Sequence, residues 1–227
     1  MMAKGLPSAR RCAGAKALER LTLGLAIFLS FSIASPFPAG SQTIVDEWST
    51  VKPPPPPQLQ KVTPEPKTTA LLVLDIVKQT CNMERRPRCV ASIPKINGLL
   101  DQARSKGVAV IHSITTSATP ADIAKEVAPR EGEPIVQAPA DKFFKTDLEK
   151  ILAEKGIKTV VVVGTAAHGA VLYTASGAAL RGMQVIVPVD VSTAESTYIE
   201  QYTLVHLLGS PATVKRVTLT RSDMVQF

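Results

Sequence analysis

Aromatic residues make up only 4% of the 227-residue chain, and there is a single tryptophan, Trp48. No cluster of basic side chains is interleaved with aromatics, so the usual footprint of a nucleic-acid-binding surface is missing and no nucleic-acid partner is expected. Histidines number three, His112, His168 and His206, and they do not sit at metal-ligand spacings. Neither a metal nor a cofactor is expected from that set. The apolar run at residues 21–34 is about 14 residues long, against about 20 for a bilayer span.

What the N-terminus does contain is a basic stretch, Lys4, Arg10, Arg11, Lys16 and Arg20, ahead of that apolar run, followed by Ser, Pro, Ala and Gly. This is the form of a secretory signal peptide over residues 1–41, with Ala39-Gly-Ser41 as the cleavage region. An uncleaved membrane anchor is the competing reading. With cleavage, the protein is exported, periplasmic or secreted, and keeps no membrane attachment. Five of the 26 Lys and Arg and one of the 19 Asp and Glu lie in this segment, so +7 falls to +3 in the remainder. A surface so mildly basic serves mainly solubility.

Cys12 would leave with the signal peptide. Cys81 and Cys89 remain, an even number in an oxidising compartment, and a disulfide between them would pin a loop just after the first core strand. Two buried free thiols are the alternative. No activating histidine lies near either cysteine in sequence, so neither reads as a nucleophile.

Residues 42–67 are proline-rich, with five consecutive prolines at 53–57 that favour extended polyproline II, either a linker or a strap lying on the domain. The domain proper is expected over 68–227. Strand patterns fall at 69–75, 108–113, 134–137, 158–164, 184–190 and 214–219, and helical patterns at 92–107, 120–127, 146–156, 168–181 and 194–208. This alternation predicts a three-layer α/β/α domain around a doubly wound, mostly parallel sheet. Loops after parallel strands converge on one edge of such a sheet, which gathers Asp75, residues 137–142, residues 164–170 and Asp190. Asp75, an acid closing a buried strand, is the sharpest functional hint. Gly164-Thr-Ala-Ala-His-Gly-Ala170 is a small-residue turn of the kind that admits a ligand at the mouth of a helix.

Ala70-Leu-Leu-Val-Leu-Asp75, Phe143 to Leu148, Val160-Val-Val-Val-Gly164 with its turn, Thr174-Ala175 and residues 182–190 occur in an order that resembles the isochorismatase-like hydrolases. That family includes nicotinamidases and related amidohydrolases, and the resemblance spans nearly all of residues 68–208. It implies the same doubly wound fold. Its cysteine hydrolases use an Asp, a Lys and a nucleophilic Cys. The Asp matches Asp75, the Cys position, six residues after Gly164, is Ala170, and the Lys position, counted six residues before Phe143, is Gln137. Alanine has no lone pair with which to attack a carbonyl, which excludes covalent thioester chemistry at Ala170. The isochorismatases proper also lack the Cys and, by the same resemblance, use the Asp as an acid. Ala167-His168 resembles their Ala-His turn, although their Tyr two residues earlier is Ala166 here. The family also often carries a non-proline cis peptide after the strand glycine, which would fall at Thr165-Ala166.

With Gln137 in the lysine position, Asp75 would lack a cation and protonate more easily, favouring proton donation. Lys142 would either swing in to pair with Asp75 or remain solvated beside a helix cap. His168 would contact substrate or satisfy a buried hydrogen bond. The expected activity is therefore cysteine-free hydrolysis of a small carboxylated or vinyl-ether-type molecule, with Thr165, Ala166, His168 and Lys142 around it. The alternative is a catalytically silent small-molecule-binding or assembly protein on the same scaffold. Resemblance also implies a homo-oligomer.

Overall fold

β-Branched and aliphatic runs set the sheet. Thr69–Leu74 (β1) is buried along its whole length, and Val160, Val161, Val162 and Val163 in Thr159–Thr165 (β4) have no exposed surface. Only a strand covered by helices on both faces reads as such a continuous apolar run. Around these two lie Ala109–Ile114 (β2), Ile135–Gln137 (β3), Gln184–Pro188 (β5) and Val217–Thr220 (β7). The order is β3-β2-β1-β4-β5-β7, every pair is parallel, and the two-residue Ser192–Thr193 (β6) joins the end of β4. The computed structural model describes residues 43–227, so the expected signal segment 1–41 lies outside the described residues.

Alternate side chains of the strands feed two cores. Ala70, Leu72 and Leu74 face Leu148–Glu154 (α3), Leu172–Leu180 (α4) and Thr197–Gly209 (α5), while Leu71 and Val73 face Pro87–Ser105 (α2). This is the expected three-layer, doubly wound arrangement. Two differences from the sequence reading have local causes. The second helix begins at Pro87 rather than near residue 92, because Pro87 occupies the first helical turn, where its missing N–H costs nothing, and Cys89 in that turn is bonded to Cys81. Residues 120–127 form two 3-10 turns, Pro120–Asp122 and Lys125–Val127, in place of one short helix.

The chain divides into two units, residues 1–51 and 52–227. Of the first, the described part holds one four-residue helix, Ile44–Glu47 (α1), opened by Thr43, whose N–H donates to Asp46. In the second, the strap reaches the sheet edge. Gln60 N donates to Leu219 O, Val62 N to Met224 O and Gln226 N to Val62 O, each at 3.0 Å, and Val62 forms a parallel bridge with Val225. No helix among the described residues is long and apolar enough to cross a membrane.

Candidate active site

Strand order reverses between β1 and β4, so the loops leaving their carboxyl ends part to opposite faces and leave a crevice. Leu74 and Gly164 are register partners there. The approach is so close that a Cβ on Gly164, whose φ is +127°, would lie 2.1 Å from Leu74 O. Gly164 is thus required at this point, and the next residue of β1 is Asp75.

Asp75 has φ +54°, in the left-handed region that is rare for a residue with a side chain, and it is 3% exposed. Its Oδ1 accepts from Ser113 Oγ at 2.7 Å, and its Oδ2 lies 2.8 Å from Lys142 Nζ. Ser113 comes from the neighbouring strand β2. Lys142 is fully buried and also donates to Ala138 O at 2.9 Å and Pro139 O at 2.7 Å. Three acceptors match the three N–H groups of an ammonium. Lys142 is held in turn by α4, where Thr174 Oγ1 accepts from Lys142 N. Gly177 in that helix leaves room for Phe143 and Asp141 on either side of the lysine, since a Cβ there would meet Phe143 at 3.0 Å.

The expectation that Asp75 lacks a cation is therefore corrected. Gln137, exposed at the end of β3, turns its amide NH2 to the carbonyls of Thr115, Thr116 and Ala118, at 2.9 to 3.3 Å, and makes no hydrogen bond to Asp75. Lys142, read as either swinging in or solvated, is the paired lysine. The loop after β3 folds back under α4, which carries position 142 rather than 137 to the crevice. Burial raises the Asp75 pKa above the ordinary carboxylate value, outweighing the lowering by Lys142 and Ser113. Burial likewise lowers that of Lys142, against the pull of Asp75. The reasoning from a missing cation therefore falls: desolvation alone raises the Asp75 pKa, and Lys142 opposes it.

The β4 turn lines the other side. Thr165 is buried with its hydroxyl donating to Thr193 O at 3.0 Å, and the Thr165-Ala166 peptide is cis. Ala166 is half-buried. Residues Ala167–Val171 form a π-turn before α4, and Ala170, the position of the family's cysteine, is packed into the core at 4% exposure. His168 is half-buried, edge-on to Tyr202 at 6.3 Å, and its Nδ1 has no hydrogen-bond partner among the described residues. The Thr193 hydroxyl is likewise buried without a partner. Two unused polar atoms at one crevice are open positions for a ligand's hydrogen bonds.

Residues that the sequence reading missed complete the surroundings. Arg86, 4% exposed, donates through Nε and Nη2 to Glu195 Oε1 at 2.9 and 2.5 Å and through Nη1 to Thr80 O at 3.3 Å, and its charge acts on Asp75. Thr80 Oγ1 donates to Asp75 O at 2.5 Å. Ser113, as the last polar residue of the adjacent strand, was the one with a readable signal. Cys81 and Cys89 form the expected disulfide. Among the described residues no group of three His, Cys, Asp or Glu side chains is placed to hold a metal ion.

An acid and an ammonium buried together where the sheet reverses its strand order place the candidate site in the crevice of a doubly wound α/β protein. The chain belongs to the isochorismatase-like hydrolase family, its residues 69–217 matching the Isochorismatase domain. It is 36% identical over 111 residues to a secreted isochorismatase effector, Isc1, of Verticillium dahliae, a match covering 44% of this chain and 58% of that protein. The chain thus spans under two thirds of the curated relative it matches. Its fold is shared with an isochorismatase-like hydrolase from Alkaliphilus metalliredigens (TM-score 0.62, 24% identity, 69% of this chain and 95% of that one). It is also shared with the N-carbamoylsarcosine amidase of Thermoplasma acidophilum (TM-score 0.59, 22% identity, 69% and 97%).

Proposed function

We propose that this chain is an exported hydrolase that cleaves a small molecule without covalent cysteine catalysis, with Asp75 as general acid. The buried Asp75–Lys142 pair at 2.8 Å carries the reading. At that distance a proton can pass between the two groups. When it rests on Asp75, Lys142 keeps two N–H groups for Ala138 O and Pro139 O and turns its lone pair to the acid, so the transfer needs no other rearrangement. On a vinyl ether, Asp75 would protonate the terminal carbon and the ether oxygen would stabilise the resulting cation. Water then adds and gives a proton back to the Asp75 carboxylate, and the hemiketal loses its hydroxyl proton as its C–O bond breaks and the leaving oxygen takes a proton up, releasing a ketone and an alcohol. Export is supported by the basic and apolar N-terminal pattern and by the relative described as secreted.

Ala170 and the near-complete burial of Asp75 favour a second reading, a catalytically silent protein that binds a small molecule or joins an assembly. Turnover of isochorismate and a panel of small amides, compared between the protein and Asp75→Asn, separates the two. A hydrolase loses at least about 10²-fold in the variant. No turnover by either protein, with ligands still raising Tm, establishes the silent reading.

A further inference from the structure

Beyond Ile76 and Val77, both buried in the core against α2, the segment leaving Asp75 is thinly packed. Lys78 and residues 83–85 are exposed, Met83 at 69%, and residues 79–82 are half-buried. Lys78 and Gln79 tie its start to Asp122. Its second half returns to the domain through Arg86 and through the Cys81–Cys89 bond. That bond brackets Arg86. It links the residue after Thr80 to the first turn of α2, whose Cys89 N–H donates to Arg86 O at 2.9 Å. Thr80 in turn holds Asp75 O, accepts from Arg86 Nη1, and so couples the bracketed loop to the acid.

We infer that the Cys81–Cys89 disulfide is a redox-sensitive switch that holds Asp75 in its working geometry through Thr80 and Arg86. Reduction disables the site while the sheet stays folded. Cys89 is fully buried and Cys81 half-buried, so a dithiol reductant attacks at Cys81 Sγ. The S–S bond breaks, Cys89 departs as thiolate, and the reductant's second thiol then closes its own disulfide and frees Cys81. Two electrons pass to the protein and each cysteine takes up a proton. The freed loop widens the range of positions open to Arg86, and its clamp on Glu195 and on Thr80 loosens. An exported protein meets oxidising conditions, so the working form is the one found outside the reducing cell interior. The inference rests on Asp75 being the working acid, and its structural half can be measured independently of turnover.

The test compares the purified, disulfide-bonded protein before and after dithiothreitol, following amide exchange and turnover together. The amides of Cys81, Arg86 and Cys89, bonded to Val77 O, Asn82 O and Arg86 O, report the loop, and those of β4 report the fold. On reduction the loop amides are expected to exchange about 10-fold faster or more while β4 is unchanged. Turnover falls about 10-fold or more and returns on reoxidation. Loop exchange within twofold of the oxidised protein overturns the inference. So does an equal loss of protection in β4, which makes the disulfide a support of the whole fold, or a loosened loop with undiminished turnover. Absence of turnover in the oxidised protein sinks the hydrolase reading instead, and exchange alone then decides whether the disulfide holds the loop.

Discussion

Lys142 sets the electrostatics of the crevice, and replacing it tests them. In Lys142→Met the side-chain volume is nearly kept, but Asp75 loses its adjacent cation, leaving the Ser113 hydroxyl and the Arg86 charge. The Asp75 pKa, already raised by burial, rises further. For a group whose folded pKa lies above its unfolded value, stability is present at low pH and is lost as pH rises through the folded pKa. Lys142→Met is therefore expected to lose about 3–5 kcal/mol at pH 8 and less at pH 5, read from urea midpoints. The alkaline limb of any turnover moves to higher pH. An equal loss at both pH values would show that the lysine acts by packing alone. The acid was legible in the sequence because it terminates a wholly apolar strand. The lysine was legible only as one of two readings of Lys142, because residues 138–147 have no periodicity, and spacing from Phe143 cannot report which way a loop turns its side chains. Arg86 and Glu195, 109 positions apart, left no pairing signal at all.

Between elements, Glu133 is the main polar tie of α2 to the β3 side of the sheet. Arg104 on α2 grips its carboxylate with two bonds of 2.8 Å, Arg130 N–H donates at 2.9 Å, and His112 Nε2 on β2 lies 3.1 Å away. Burial alone would raise its pKa, but Arg104, the Arg130 amide and His112 outweigh that and hold it at about 2. A lowered folded pKa contributes stability above the unfolded value of 4.5, lost as pH falls toward about 2. Glu133→Gln should cost about 1–3 kcal/mol at pH 7 and little at the acid end, flattening the urea midpoint across that window. Parallel displacement of the two curves would mean that shape, not charge, makes the contact. Neither partner was readable in advance, whereas the strands they join were, since β1, β2, β4 and β5 are runs that only a buried parallel sheet accommodates. Helix boundaries were less legible. Pro87 reads as a stop or a start depending on what lies beside it, and the disulfide that settles it joins residues eight apart.

Taken whole, the sheet has an edge problem that the proline-rich segment addresses. β7 is the outer strand beyond β5, and an open strand edge invites pairing with another chain. The segment at Gln60 and Val62 covers part of that edge, and the five prolines before it cannot themselves donate to a strand. Of the two readings of this segment, linker or strap, residues 60–62 take the second and cover the domain. Val62→Pro removes the N–H that Met224 O accepts, and the loss of about 1 kcal/mol should lower Tm by about 2–4 °C, with more aggregate on heating. Pro55→Ser, at an exposed position of the polyproline run, should leave Tm within what a surface change of about 0.5 kcal/mol produces. Calorimetry with light scattering reads both variants. If Val62→Pro were as silent as Pro55→Ser, the strap would contribute nothing to the domain, and the sheet edge would owe its protection to the short length of β7 instead.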